Sequence, residues 1–212
     1  NQGRELKRFP MSYEAGAWQF PMNALERASA GNSRLLMLCN PFNPIGRTLT
    51  RTELESIVDI SVQNDLIICS DEIHCDLVLD GRPHIPTASI SEAAAERTIT
   101  LMAPSKTFNL AGLGGSFAII QNPLLREQFE APRAGLVGNV NLLGYTAMQA
   151  AYADCEGWRQ ELLRYLEGNR DYLSNAIENI PGIHMSPQES TYLAWLNVAE
   201  LGLNDPPDFF EQ

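Results

Sequence analysis

Lysine is almost absent from this chain. Among 212 residues only Lys7 and Lys106 carry an ammonium group, and every other cation is arginine. Positive charge as a whole is scarce: the formal net charge is −11, which argues against nucleic acid or an anionic membrane as a partner. No apolar run approaches the roughly 18 to 20 residues of a spanning helix, and the opening Asn1-Gln2-Gly3-Arg4 does not read as a secretory signal. Cysteines number four. Cys39 and Cys69 fall inside apolar strand candidates, where a free thiol behaves as a small hydrophobe, and Cys155 lies far off near a helix boundary. Disulfides are therefore not expected, and the expected compartment is the reducing cytoplasm. Cys69, His74 and Cys75 lack a zinc spacing, so no metal site is predicted. Internal repeats and low-complexity tracts are missing as well.

What is present is an alternation of strand-like and helix-like segments. Apolar runs at Leu35 to Cys39, Leu66 to Ser70, Thr98 to Met102 and Ser116 to Ile120 are separated by turn-rich stretches, the pattern of a mostly parallel α/β sheet flanked by helices. A helix is predicted from Thr52 to Gln63: Thr50 precedes Glu53 by three residues as in a capping box, and Leu54, Ile57, Val58 and Val62 recur on one face. Helices then dominate, over Pro123 to Glu130, Leu142 to Ala153 and Gly157 to Asn179. The last carries Leu162, Leu163, Leu166, Tyr172, Leu173 and Ile177 on its apolar side and is stopped by Pro181-Gly182.

Chemistry concentrates where predicted strands end. Lys106 follows the Thr98 to Met102 run in a frame of small residues, Ala103-Pro104-Ser105-Lys106-Thr107. Such a lysine suits an amine whose pKa is lowered until it attacks an aldehyde to form a Schiff base, and pyridoxal 5′-phosphate is the natural cofactor for it. A solvated loop lysine fits the same frame, so the neighbours decide. Asn40-Pro41-Phe42-Asn43-Pro44-Ile45-Gly46 follows the first strand as a rigid bend that presents the Asn43 amide. Asp71-Glu72 ends the second strand, at the edge where open α/β sheets bind ligands, with His74 and Cys75 just beyond. Asp71 suits a partner for the cofactor's ring nitrogen. Asn43 suits its phenolic oxygen, and His74 suits the same oxygen or the ring face. Ser105 suits the phosphate, helped by free amides of the loop Thr107 to Gly112, with Gly112, Gly114 and Gly115 letting backbone pass close to the ligand.

In that order, Asn43-Pro44-Ile45-Gly46, Asp71-Glu72-Ile73-His74-Cys75-Asp76, His84-Ile85-Pro86 and Ser105 to Leu113 resemble the fold-type-I pyridoxal-phosphate enzymes of the class I/II aminotransferase superfamily. Within them the match is to the cystathionine β-lyase and cystalysin-like branch, and it runs along essentially the whole chain to Ser190-Thr191-Tyr192-Leu193-Ala194-Trp195-Leu196. The resemblance implies a large-domain fragment over residues 1–155 and, over 156–212, a linking helix with the beginning of a smaller α+β C-terminal domain. It implies Lys106 as the Schiff-base lysine and general base, Asp71 on the pyridine nitrogen, Asn43 and His74 near the phenolic oxygen, and Ser105 near the phosphate. The implied activity is α,β-elimination from cystathionine or another cysteine conjugate to pyruvate, ammonia and a thiol. Amino-acid transamination is the close alternative, and a non-catalytic truncated relative is the alternative of another class. The implied partners are a small amino-acid substrate and a second subunit of a homodimer.

Departures from the family pattern are also legible. Gly114 stands where an arginine clamp on the phosphate is common, and Ala103 where a serine is common; His74 replaces the tyrosine of ordinary aminotransferases, which favours the lyase branch. The family is normally about twice this length. An upstream phosphate turn, an upstream aromatic for the ring and a downstream arginine for the substrate carboxylate are not found, which predicts an internal fragment that folds but is catalytically silent alone. Elsewhere His84 reads as structural and His184 as solvent-facing. Trp158, Tyr165 and Tyr172 read as core or interface packing, and Arg133-Ala134-Gly135 as substrate mouth or dimer contact.

Overall fold

The computed structural model describes residues 3–133, 135–203, 205 and 209. A small antiparallel hairpin, β1 (Ser12–Glu14) and β2 (Ala17–Gln19), leads into helix α1 (Met22–Ser29). Then follow β3 (Leu35–Cys39), α2 (Arg51–Gln63), β4 (Ile67–Asp71), α3 (Glu92–Arg97), β5 (Thr98–Met102) and β6 (Phe117–Ile119). These strands form one sheet in the order β3-β4-β5-β6; β3/β4 and β4/β5 are parallel, and β6 runs antiparallel to β5. Helices α4 (Pro123–Glu130), α5 (Leu142–Asp154) and α6 (Glu156–Ile177) come next. A two-stranded β7 (His184–Met185) and β8 (Leu196–Asn197) pair follows.

Alternation along the strands sends two different sets of side chains to the two faces. On one face Leu36, Leu38 and Ile68 pack against Leu25 of α1, Leu54, Ile57 and Val58 of α2, and Ala94 of α3. The helix α2 starts at the predicted capping box: the Thr50 side chain accepts from the Glu53 N–H, and Glu53 Oε2 accepts from the Thr50 N–H at 2.9 Å. Val62 does not join its buried stripe and is exposed. On the opposite face Ile99, Ile120 and Leu125 cluster with Ile67, Cys69, Leu101 and Phe129, so α4 covers the β5/β6 half. Over β3 that face is open, with Leu35 and Met37 54% and 71% exposed.

Observed boundaries lie within a residue or two of the expected ones. The second strand is shifted one residue on, which makes Asp71 its last member, while the Leu66 N–H turns back to the Ser61 carbonyl. In α6 only Leu163 and Ile177 are buried, and the Leu163 end packs on Leu77 and Leu79; Tyr165 and Tyr172 face solvent and so take no part in the core. All four cysteines are free. No helix among the described residues is long and apolar enough to cross a membrane.

The sheet register sets the C-terminal strand ends level. Cys39 pairs with Asp71 and Asp71 with Leu101, and the ladder runs one step further through Asn40 N–H to Asp71 O and Glu72 N–H to Leu101 O, both 3.0 Å. Three loops therefore leave the sheet side by side.

Candidate active site

The first loop is held by its own polar groups. Asn40 is fully buried and its Oδ1 accepts from the Leu49 N–H at 2.9 Å, while the Phe42 N–H donates to the Arg47 carbonyl and the Gly46 N–H to the Phe42 carbonyl, each at 2.8 Å. Asn40-Pro41 and Asn43-Pro44 are cis. Gly46 has φ +69°, and a Cβ there would lie 3.0 Å from the Ser190 carbonyl oxygen, so the turn requires glycine. Asn43 is left exposed at the apex.

From the second strand two carboxylates diverge. Asp71 is exposed at the sheet edge, its Oδ1 accepting from the Ile73 N–H at 3.2 Å. Glu72 points inward and is fully buried. Its Oε1 accepts from Ser70 Oγ (2.8 Å) and the Thr87 N–H (3.0 Å), and its Oε2 from His84 Nε2 (2.7 Å). His84 is thus a structural residue, as its sequence context suggests.

His74 is buried at the start of the next turn, with Nε2 3.3 Å from Asn43 Nδ2. An amide nitrogen only donates, so Nε2 accepts and the neutral ring carries its proton on Nδ1. That Nδ1 is buried and has no hydrogen-bond partner. Burial, then the positive charge of Lys106, holds the imidazole below its ordinary pKa, with Asp71 pulling the other way. The ring is neutral at pH 7, and both Lys106 and Asp71 lie within electrostatic reach of it.

Lys106 sits half-buried in the third loop. The loop is wound tightly: the Phe108 N–H donates to the Pro104 carbonyl (2.9 Å) and the Leu110 N–H to the Ser105 carbonyl (3.1 Å). Phe108 anchors it against Tyr152 and Trp158, with ring centroids 5.8 and 5.9 Å away. Thr107 is buried with an unpartnered hydroxyl, and Ser105 is half-buried beside the lysine. Lys7, by contrast, is spent on the carbonyls of Ala28 and Ala30 and on Ser33 Oγ, where α1 ends. A Cβ on Gly115 would collide with Met148 Sδ of α5, so this glycine also serves helix packing, while the space beside Gly112 and Gly114 is open.

The structure therefore brings Asn43, Asp71, His74 and Lys106 together, with Ser105 adjacent to the lysine in the same loop. Sequence reasoning missed two neighbours. Cys39 ends β3 opposite Asp71; burial holds its thiol above the ordinary value against a bond from the Asn43 backbone, with a smaller push from the Asp71 charge. Tyr192 packs edge-on against His74, centroids 5.9 Å apart; the run Ser190 to Leu196 stood out, but nothing in it marked a site residue. Among the described residues no group of three or more His, Cys, Asp or Glu could hold a metal.

The sequence model of the family Aminotransferase class I and II matches residues 1–211. Similar proteins include cystathionine beta-lyase PatB of Bacillus subtilis strain 168, 37% identical over 207 residues that cover 96% of this chain and 53% of PatB. The crystal structure of OvoB superposes with a TM-score of 0.91 at 46% identity, covering 95% of this chain and 53% of that one. Cystalysin from Treponema denticola, whose crystal structure contains a pyridoxal 5′-phosphate cofactor, gives a TM-score of 0.89 at 36% identity, covering 95% and 52%. The chain spans about half the length of the curated relatives it matches.

Proposed function

Since the chain belongs to the aminotransferase class I and II family, we propose that it supplies the lysine-bearing half of a pyridoxal 5′-phosphate-dependent carbon–sulfur β-lyase acting on cystathionine or a related cysteine conjugate. The observation that carries this reading is the convergence of Lys106, Asp71, Asn43 and His74 at the level ends of three neighbouring strands. The residues fit the cofactor: an amine, a carboxylate, an amide with a second N–H to spare, and two buried polar atoms without partners, His74 Nδ1 and Thr107 Oγ1.

When bound, the cofactor supplies an electron sink that makes the α-carbon of an amino acid acidic. Lys106 Nζ is the amine that holds its aldehyde and later moves the substrate's α-proton. Asp71 keeps a proton on the ring nitrogen by favouring the charged form. The second Asn43 N–H would donate to the phenolic oxygen; His74, whose Nε2 accepts from that same amide while Nδ1 points to the far side of the ring, would orient the amide, and a neutral His74 does so without adding positive charge beside Lys106. Ser105 and Thr107 offer hydroxyls to the phosphate, which has no arginine at position 114 to clamp it.

Histidine at position 74 and the likeness to PatB support elimination over transamination. The same reading divides the chain at 155/156, where Cys155 separates α5 from α6, into large domain and the beginning of the small domain. It makes the complete protein a cytoplasmic homodimer, for which the exposed Leu142, Leu143 and Tyr145 of α5 offer an apolar surface. The experiment is an assay of the complete protein with cystathionine, cysteine conjugates and a keto-acid acceptor. Pyruvate release without acceptor supports the lyase; amino transfer in its place supports the aminotransferase alternative.

A further inference from the structure

We infer that Tyr192 is a positioning residue of this site: its ring fixes the orientation of the His74 imidazole and keeps bulk water from it, and the strained backbone of Thr191 aims it there. The segment before Tyr192 is stitched to both loops that carry the Asn43–His74 pair. On one side the Glu189 N–H donates to the Gly46 carbonyl at 2.8 Å, and Glu189 Oε2 accepts from Thr48 N–H and Oγ1 at 2.8 and 2.9 Å. On the other, Leu79 N–H donates to Glu189 O and Thr191 N–H to Leu77 O, both 2.9 Å, around a Val78–Ser190 bridge.

Between these anchors Thr191 is fully buried at φ +65°. A β-branched residue there is a genuine outlier that persists only where the surroundings over-determine it. Its Oγ1 accepts from the Leu193 N–H at 3.2 Å, so the turn is braced on both sides of Tyr192. The result is a T-shaped contact, interplanar angle 64°, between the phenol and a histidine that is 2% exposed, while Tyr192 itself is 44% exposed. Tyr192 is thus the outer wall and His74 the inner group. The groups acting on the imidazole are then the Tyr192 ring, the Asn43 amide and the charges of Lys106 and Asp71.

The inference uses the lyase reading only for its consequence, that the Asn43 amide held by His74 is presented to the cofactor. Its test needs no cofactor. The chain has three histidines, so their imidazole signals can be followed separately by NMR across pH, with His74→Gln assigning the relevant one. In Tyr192→Leu, water reaches the ring and the His74 proton-binding constant rises at least about threefold toward the ordinary value near ~6.5. Tyr192→Phe, which keeps the ring, leaves it as in wild type. Thr191→Gly removes the strain without touching a site side chain; it shifts His74 in the same direction and carries the test should Tyr192→Leu lose its fold. A His74 titration unchanged in both Tyr192→Leu and Thr191→Gly overturns the proposal. A moved titration with an unaltered spectrum of added pyridoxal phosphate would leave the positioning role standing and remove the Asn43–His74 pair from the cofactor's contacts.

Discussion

Replacing Glu72 by alanine should be among the most damaging single changes to this fold. Three donors end on this buried carboxylate: Ser70 Oγ, the Thr87 N–H and His84 Nε2. After Glu72→Ala, Ser70 Oγ keeps Thr87 Oγ1 at 3.0 Å as a partner. The Thr87 N–H and the His84 N–H keep none. A buried donor left unsatisfied costs about 1–3 kcal/mol. Two such donors put the expected loss at about 2–6 kcal/mol, a large part of the total of about 5–15 kcal/mol that holds a domain together. Glu72→Gln retains an oxygen for Ser70 and Thr87 and should lose only about 1–2 kcal/mol, because His84 can present its other tautomer to the new amide. Urea unfolding followed by circular dichroism measures both, through the midpoint at constant slope. An alanine variant within about 1 kcal/mol of wild type, or a glutamine variant as damaged as alanine, would refute the assignment of Glu72 as the buried anchor beside Asp71.

Asp71→Ala in the complete enzyme should lower turnover by roughly two orders of magnitude or more while cofactor capture suffers less, since Asp71 tunes the ring and does not hold its phosphate; steady-state rates and an absorbance titration with pyridoxal phosphate separate the two. Glu53 is pushed up by burial but pulled further down by the Thr50 N–H, the Arg47 guanidinium and the Thr50 hydroxyl, so its net folded pKa is depressed. Its stabilisation is therefore present above the ordinary carboxyl value and lost as pH falls through the folded one; Glu53→Gln should be less stable than wild type at neutral pH, with the gap closing in acid, as thermal melts across pH will read. Gly46→Ala should cost about 1–2 kcal/mol from its left-handed φ, before any contact with the Ser190 carbonyl, and a melting temperature unchanged from wild type would contradict the need for glycine in that turn.

Much of the sheet was legible because its strands are short apolar runs closed by turn chemistry, and the Thr50/Glu53 box placed α2 within a residue. The β1/β2 hairpin, α1 and α3 were not: the two strands and α3 carry too little periodicity to stand out, and α1 has no capping side chain, unlike the equally short α4, which Asn122-Pro123 opens. At the site, Lys106, Asp71, Asn43 and His74 were readable because each follows a strand and their order matches a known pattern. Tyr192 was not, because its contact with His74 spans more than a hundred residues and depends on a backbone conformation at Thr191 that threonine disfavours. Tyr165 and Tyr172 mark the converse limit: helical spacing defines a face, and only packing decides whether the core covers it, which here it does not.

The central claim is that Lys106 is the amine that binds pyridoxal 5′-phosphate. Incubation with the cofactor, reduction with borohydride, proteolysis and mass spectrometry test it directly. The account predicts a phosphopyridoxyl group on Lys106 in the complete protein and none in Lys106→Ala; an adduct on Lys7, or one that persists in the variant, would contradict it.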